Sequence, residues 1–124
     1  MINPDMWRIY YNALCPEMQK LRTRLDEMGI AWADRSNYCP GYPAYDICRT
    51  HFTYNGTYWS VIHGVGSYGG WNIGYTTDPG LLEAYALHEE GTSPEGHLTA
   101  DEVIHLIQHY NSHEDGAKMD EVRL

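Results

Sequence analysis

The chain has 124 residues, with 17 Asp and Glu against 8 Lys and Arg, so its formal net charge is −9 when the 7 His are neutral. We expect one domain, because domains usually hold about 100 to 150 residues. No apolar run approaches the ~18 residues that a membrane span needs, and no basic region followed by an apolar stretch begins the chain, so we expect a soluble, cytoplasmic protein. Three cysteines without CxxC spacing support neither a disulfide framework nor a zinc knuckle.

The N-terminal third is predicted to be helical. Asn3 before Pro4 is typical of a helix start, and Pro16 ends or kinks that first helix. A second helix follows, with apolar residues at steps of three and four that end near Gly29. The stripe comprises Leu14, Met18, Leu21, Leu25 and Met28, and Lys20, Arg22 and Arg24 are predicted to lie largely off it.

Strand patterns occupy the middle of the chain. Residues 30–35 favour a short strand, and a loop rich in turn formers and tyrosine covers 37–45. The clearest element is a hairpin of residues 47–54 and 57–63, joined by Asn55-Gly56, which supplies the two positive-φ positions of a type I′ turn. In that register Tyr54 faces Thr57 and Phe52 faces Trp59. One face then carries Cys48, Phe52, Tyr54, Trp59 and Val61.

The last third is predicted to add two strands and one helix. Residues 81–87 and 95–98 form an antiparallel pair across the acidic loop 88–94, and Thr99 with Glu102 forms a capping box at the start of a helix. We therefore predict an α+β fold for a single domain, 1–113, in which N-terminal helices and one C-terminal helix pack against an antiparallel sheet of about four strands. Residues 114–124 are predicted to be a flexible acidic tail.

The negative charge is concentrated in the second half. Residues 1–60 carry six acids and six bases, whereas residues 61–124 carry eleven acids and two bases. Direct binding of nucleic acid is disfavoured there, because such a site needs Lys and Arg to replace condensed counterions. The charge instead indicates a basic protein partner, or it serves only to keep the protein in solution.

Three short patterns resemble functional sites, but none of them is specific enough to predict one. Residues 64–69 match GxGxxG, but the residues after them do not begin the helix that a dinucleotide site needs. Asp101, His105, His109 and His113 form a helical stripe that lies on a solvent face, so we expect no functional metal site. Triads can be assembled from Cys39 or Cys48, His51 or His63 and Asp34 or Asp46, yet no local motif favours one. We therefore predict no enzyme activity and no cofactor.

Three segments of the chain carry a pattern that resembles other proteins. Residues 52–70 (FTYNGTYWSVIHGVGSYGG), 80–85 (GLLEAY) and 95–104 (EGHLTADEVI) resemble small uncharacterised proteins of phages and mobile elements. No activity or catalytic residue comes with that resemblance. It implies a context in which small acidic proteins act as anti-defence factors, among them anti-CRISPR proteins that bind and block a host effector.

The sequence thus predicts a non-enzymatic inhibitor of a basic, nucleic-acid-handling host defence protein such as a CRISPR effector nuclease, whose guide and target channels are positively charged. Carboxylates would stand where phosphates normally lie, and aromatic side chains would anchor the contact. The predicted contact residues are Glu83, Glu89, Glu90, Glu95, Asp101, Glu102, Tyr68, Trp71 and Tyr75. The alternative is a small-ligand or nucleotide-signal binder, a sponge, that uses the glycine-rich aromatic loop 64–70 as its pocket.

Overall fold

A computed structural model describes residues 15–37, 47–64, 67–68 and 80–119, with side chains described as far as Tyr110. The described elements are helix α1 (Pro16–Glu27), strands β1 (Trp32–Asp34), β2 (Ile47–Tyr54), β3 (Thr57–Gly64), β4 (Leu82–Leu87) and β5 (Glu95–Leu98), and helix α2 (Ala100–Met119). The strands form one antiparallel sheet in the order β1-β2-β3-β4-β5. The predicted α+β fold is confirmed, with five strands among the described residues. The helix predicted from Asn3 and most of the loop predicted at 37–45 lie outside the described residues.

Helix α1 buries the predicted apolar stripe. Pro16 occupies its first turn, where a missing backbone N–H costs nothing, and Met18, Leu21 and Leu25 are fully buried. Gly29 ends the helix with a φ of 73°, and Ile30 N donates to Leu25 O at 2.9 Å.

Arg22 corrects the prediction for this helix. It was expected off the buried stripe, but it is only 8% exposed. The guanidinium is tolerated in the core because strand β2 offers it acceptors, and its Nε donates to Thr50 Oγ1 at 2.8 Å. A buried cation needs such partners.

The predicted hairpin register is confirmed. Tyr54 pairs with Thr57 and Phe52 with Trp59. Asn55 and Gly56 have φ values of 50° and 81°, as a type I′ turn requires. Of the predicted apolar face, Cys48, Phe52, Trp59 and Val61 are buried and Tyr54 is partly buried.

Helix α2 begins with the predicted capping box. Thr99 N donates to Glu102 Oε1 at 2.8 Å, and Glu102 N donates to Thr99 Oγ1 at 3.2 Å. Val103, Ile104 and Ile107 join the core. The helix continues to Met119, into residues for which we predicted a flexible tail. Neither described helix is long and apolar enough to cross a membrane.

Candidate functional site

A groove of about 700 Å³ lies between the sheet, the β4–β5 loop and helix α2. Its apolar lining consists of Trp59, Ala84, Ala86, Leu106 and Tyr110, and its polar lining of Glu89, Glu90, Thr92, Ser93, Glu95, His105 and His109. We call this the acidic groove. A volume of this size lies within the range of about 300–1,000 Å³ that is typical of ligand sites.

Strand alternation gives the groove its apolar floor. Trp59 pairs with Ala86 across β3 and β4, and Ala84 lies two residues further along the same face. The two alanines leave space beside the indole because their side chains are single methyl groups. The rings of Trp59 and Tyr110 meet edge to face, with their centroids 5.1 Å apart.

The β4–β5 loop holds two of the carboxylates. His88 and Gly91 have positive φ values of 65° and 79°, which turn the chain sharply on either side of Glu89 and Glu90. Thr92 Oγ1 donates to Glu89 O at 2.9 Å and lies 3.3 Å from Ala86 O. The loop is therefore braced by its own hydrogen bonds, and the two exposed carboxylates begin from a defined backbone.

Helix α2 contributes two imidazoles to the rim. The rings of His105 and His109 stack with centroids 4.0 Å apart, and His109 Nδ1 lies 2.8 Å from His105 O. The helical spacing predicted this pair, but not its position at the mouth of a groove. Within the described part of the chain, no group of three His, Cys, Asp or Glu side chains is arranged to hold a metal ion.

Trp59, which lines the groove, carries a buried donor without a partner in the described part of the chain. Trp59 is 2% exposed, and its Nε1 has no hydrogen-bond partner among the described residues. Leaving a buried donor unpaired costs about 1–3 kcal/mol. Most buried polar atoms in folded proteins are satisfied, so this indole marks a place where an acceptor is missing.

The six predicted carboxylates do not form one patch. Only Glu89, Glu90 and Glu95 line the acidic groove. Glu83 lies on the opposite face of β4 from Ala84, and its Oε1 accepts from Tyr68 N at 2.8 Å.

The other two predicted carboxylates serve the start of helix α2. Asp101 forms an ion pair with Arg24 of helix α1, and Glu102 completes the capping box. These local roles divide the acidic surface, so the groove is the part of it in which carboxylates converge.

The predicted aromatic contacts are only partly described. Tyr68 is 56% exposed and lies beside strand β5, where its carbonyl accepts from His97 N at 3.0 Å. Trp71 and Tyr75 lie outside the described residues. At the start of the glycine-rich loop, Ser67 N donates to Gly64 O at 3.1 Å.

A second polar cluster lies in the core around Arg22. Its Nη2 lies 3.2 Å from Asp34 Oδ1, 3.3 Å from Arg49 O and 3.8 Å from Cys48 Sγ. A hydrogen bond from Cys15 and the charge of Arg22 hold the pKa of the Cys48 thiol below its usual value, against the opposing effect of burial.

Cys48 nevertheless lacks the setting of a nucleophile. Its strand neighbour across the hairpin is His63, as a cysteine and histidine pair would need, but the two residues are 0% and 3% exposed. His63 Nδ1 is also engaged, 3.0 Å from Leu81 O. A substrate cannot reach either side chain, so we assign this cluster to stability.

A third cluster lies on the other face of the sheet. His51 Nδ1 lies 3.0 Å from Tyr58 Oη, and His51 Nε2 lies 3.1 Å from Ser60 Oγ. Burial lowers the pKa of His51, and the charges of Arg49 and Arg35 lower it further. A hydroxyl beside a neutral imidazole is half of a nucleophilic site, but a carboxylate that orients the ring is not among these contacts.

Comparison with known proteins adds no relative: no family model, no curated protein and no solved structure matches the chain. The functional argument therefore depends on the acidic groove itself.

Proposed function

We propose that this protein is a non-enzymatic inhibitor that binds a basic, nucleic-acid-handling protein through the acidic groove. The observation that carries the proposal is the convergence of Glu89, Glu90 and Glu95 around an apolar floor. The described structure records no ion pair for any of the three with a Lys or Arg side chain. Their charge is therefore available to a partner.

The charge distribution supports a cationic partner. All bases of residues 1–60 that the structure describes lie on helix α1 or near strands β1 and β2, while the groove is bounded by β3, β4, β5 and α2. A concave site lined by one sign of charge focuses its field and speeds encounter with the opposite sign. A CRISPR effector nuclease remains the concrete candidate, because its nucleic-acid channels are basic. The carboxylates would take the places of phosphates there.

Affinity capture from a bacterial lysate, at low and at moderate salt, tests the proposal. We expect the wild-type protein to retain basic nucleic-acid-binding proteins and the triple variant Glu89→Gln, Glu90→Gln, Glu95→Gln to lose them. The same effectors should be inhibited in a nuclease assay by the wild-type protein and not by the triple variant. Retention and inhibition that are unchanged in the triple variant would refute the proposed role of the groove.

A matched control removes the same charge elsewhere. The variant Asp26→Asn, Glu27→Gln, Glu83→Gln also raises the net charge by three, and none of these described residues lines the groove. Glu27 is 65% exposed and pairs with Arg24 only at 3.9 Å. The control should retain the same proteins as the wild type. If both variants lose them equally, net charge and not the groove governs binding.

Small-ligand binding is the second candidate, and the apolar floor and volume of about 700 Å³ of the groove favour it. The pocket would then be the acidic groove and not the loop 64–70. A nucleotide fits this groove poorly, because three carboxylates would lie beside its phosphates. Calorimetry with a panel of nucleotides tests this point, and binding at the groove would contradict it.

A further inference from the structure

We propose that Cys15 and Cys48 form a peroxide-sensitive pair, which hydrogen peroxide oxidises in the folded protein to a disulfide between the start of helix α1 and strand β2. Both residues carry reduced thiols, and they are 2% and 0% exposed. The Cys15 thiol donates a hydrogen bond to the Cys48 sulfur. Neither of these described cysteines lines the acidic groove, so this inference is independent of the proposed function.

The packing of helix α1 on strand β2 places the two sulfur atoms together. Thr50 Oγ1 donates to Met18 Sδ at 3.1 Å, so the helix and the strand touch at this point. Cys15 lies one helical turn before Met18. Cys48 lies two residues before Thr50, on the same buried face of β2. Thiols that already touch need only side-chain rotation and a small backbone shift to reach the disulfide bond length of about 2 Å.

Arg22 favours the reactive form of Cys48. Its Nη2 donates to Cys48 Sγ at 3.8 Å. The hydrogen bond from Cys15 lowers the pKa of the Cys48 thiol, and the charge of Arg22 lowers it further, against the opposing effects of burial and of Asp34. The thiolate, and not the thiol, is the nucleophile in such reactions. Cys48 is therefore the residue that attacks the peroxide, and Cys15 is the residue that completes the disulfide.

The oxidation takes two steps. The Cys48 thiolate attacks one oxygen of hydrogen peroxide and breaks the O–O bond, which leaves a sulfenic acid on Cys48 and a hydroxide that the thiol proton converts to water. The Cys15 sulfur then attacks the Cys48 sulfur. An S–S bond forms, the S–O bond breaks, and the hydroxyl leaves as water with the Cys15 proton. The two thiols lose two electrons and two protons in total, and one peroxide is reduced to two waters.

Burial limits which oxidant reaches the pair. Cys15 lies at the start of α1, and helix ends open at a lower free-energy cost than the middle of a core. Hydrogen peroxide is little larger than water and enters through such openings, whereas a bulky substrate or disulfide reagent does not. In a reducing compartment the pair therefore stays as two thiols and closes only when peroxide is present.

Mass spectrometry of the full-length wild-type protein tests the inference. The native protein is treated with hydrogen peroxide in the absence of a reductant, quenched with catalase, unfolded and alkylated with iodoacetamide. We expect a loss of about 2 Da and a pair of peptides linked through Cys15 and Cys48, and dithiothreitol should restore both thiols. Two cysteines that are both still alkylated after prolonged exposure to excess peroxide would overturn the inference.

The same reaction in urea separates the effect of the fold from that of chain statistics. Cys39, which lies outside the described residues, is closer to Cys48 along the chain than Cys15 is. Loop-closure entropy therefore favours the Cys39–Cys48 disulfide in the unfolded chain. We expect the Cys15–Cys48 linkage to predominate in the native protein and the Cys39–Cys48 linkage to predominate in urea. Equal product ratios under the two conditions would also overturn the inference.

Two variants assign the roles of the cysteines. Cys39→Ser is the matched control and should form the Cys15–Cys48 linkage as the wild type does. Cys15→Ser should instead accumulate the sulfenic acid of Cys48, which dimedone traps. A Cys39→Ser protein that no longer forms the linkage, or a Cys15→Ser protein that dimedone does not label at Cys48, would contradict these roles.

Urea denaturation of the oxidised wild-type protein gives a second measurement. The disulfide restricts the unfolded chain, so it should raise the urea midpoint by about 1 M relative to the reduced protein. An oxidised protein that unfolds at the same or at a lower urea concentration would show that the bond does not fit the native fold, and it would overturn the inference.

Discussion

Replacing Arg22 with methionine tests how much the buried cation stabilises the fold. The guanidinium donates to Thr50 Oγ1 at 2.8 Å and to Asp34 Oδ1 at 3.2 Å, and its Cζ lies 4.7 Å from the centroid of the Trp32 ring. Methionine keeps most of the aliphatic volume and removes all of these contacts.

The expected loss of stability depends on the hydrogen-bond partners that Arg22→Met leaves behind. Hydrogen bonds to charged groups contribute about 1.5–3 kcal/mol each, and the desolvation cost of the guanidinium offsets part of this. The Asp34 side chain is 23% exposed and still accepts a hydrogen bond from Ser36 N at 3.0 Å, so its carboxylate is not left without a donor. We therefore expect Arg22→Met to lower the free energy of unfolding by about 2–4 kcal/mol, a large part of the ~5–15 kcal/mol of a typical domain.

Urea denaturation followed by circular dichroism measures this change. Lys20→Met is the matched control, because Lys20 lies on the same helix with its side chain 57% exposed, and it should stay within about 0.5 kcal/mol of the wild type. Arg22→Lys should recover little, since one ammonium cannot reach Thr50, Asp34 and the Arg49 carbonyl together. A loss below about 0.5 kcal/mol in Arg22→Met would refute the reasoning.

Three further changes have expected outcomes that equilibrium denaturation can measure. Gly96→Ala should cost about 1–3 kcal/mol, because a Cβ there would overlap the side chain of Tyr68 and lie 3.1 Å from its carbonyl oxygen; an unchanged midpoint would contradict this close approach. Thr99→Ala should cost about 1 kcal/mol, since it removes the acceptor of Glu102 N, and a serine in its place should restore most of the loss. The lowered pKa of His51 means that the unfolded chain binds its proton more readily, so this residue contributes stability above its ordinary pKa that is lost as the pH falls through it. His51→Gln should therefore flatten the decline in stability between about pH 7 and pH 5, and an identical decline would count against that assignment.

Local patterns were enough to predict most of the fold. The Asn55-Gly56 turn determined the hairpin register, and the Thr99 capping box located the start of helix α2, because both signals depend on neighbours within a few residues. Arg22 was placed wrongly for the opposite reason. Its partners Thr50 and Asp34 lie 28 and 12 positions away, and helical periodicity carries no information about them.

The sequence predicted the carboxylates of the acidic groove but not its apolar floor. Its carboxylates were predicted from composition, since they belong to one acidic segment of the chain. Its floor was not, because Trp59 was assigned correctly to the buried face without any signal that its N–H would lack a partner. The two alanines that make the space became relevant only once β4 was seen beside β3. The groove exists because the small side chains of Ala84 and Ala86 leave space beside Trp59.

The two helices are joined by polar contacts between residues that lie far apart in the sequence. Asp101 at the start of α2 pairs with Arg24, 77 positions earlier, and Ala100 N donates to Glu17 Oε1, 83 positions earlier, at 2.8 Å. These contacts close a loop that contains strands β1 to β5. Because closing a long loop costs entropy, we expect them to stabilise the protein only after the hairpins have formed. Substitutions at these contacts should therefore speed unfolding and leave the folding rate nearly unchanged. We therefore expect the lifetime of the native state, more than its rate of formation, to depend on these two long-range contacts.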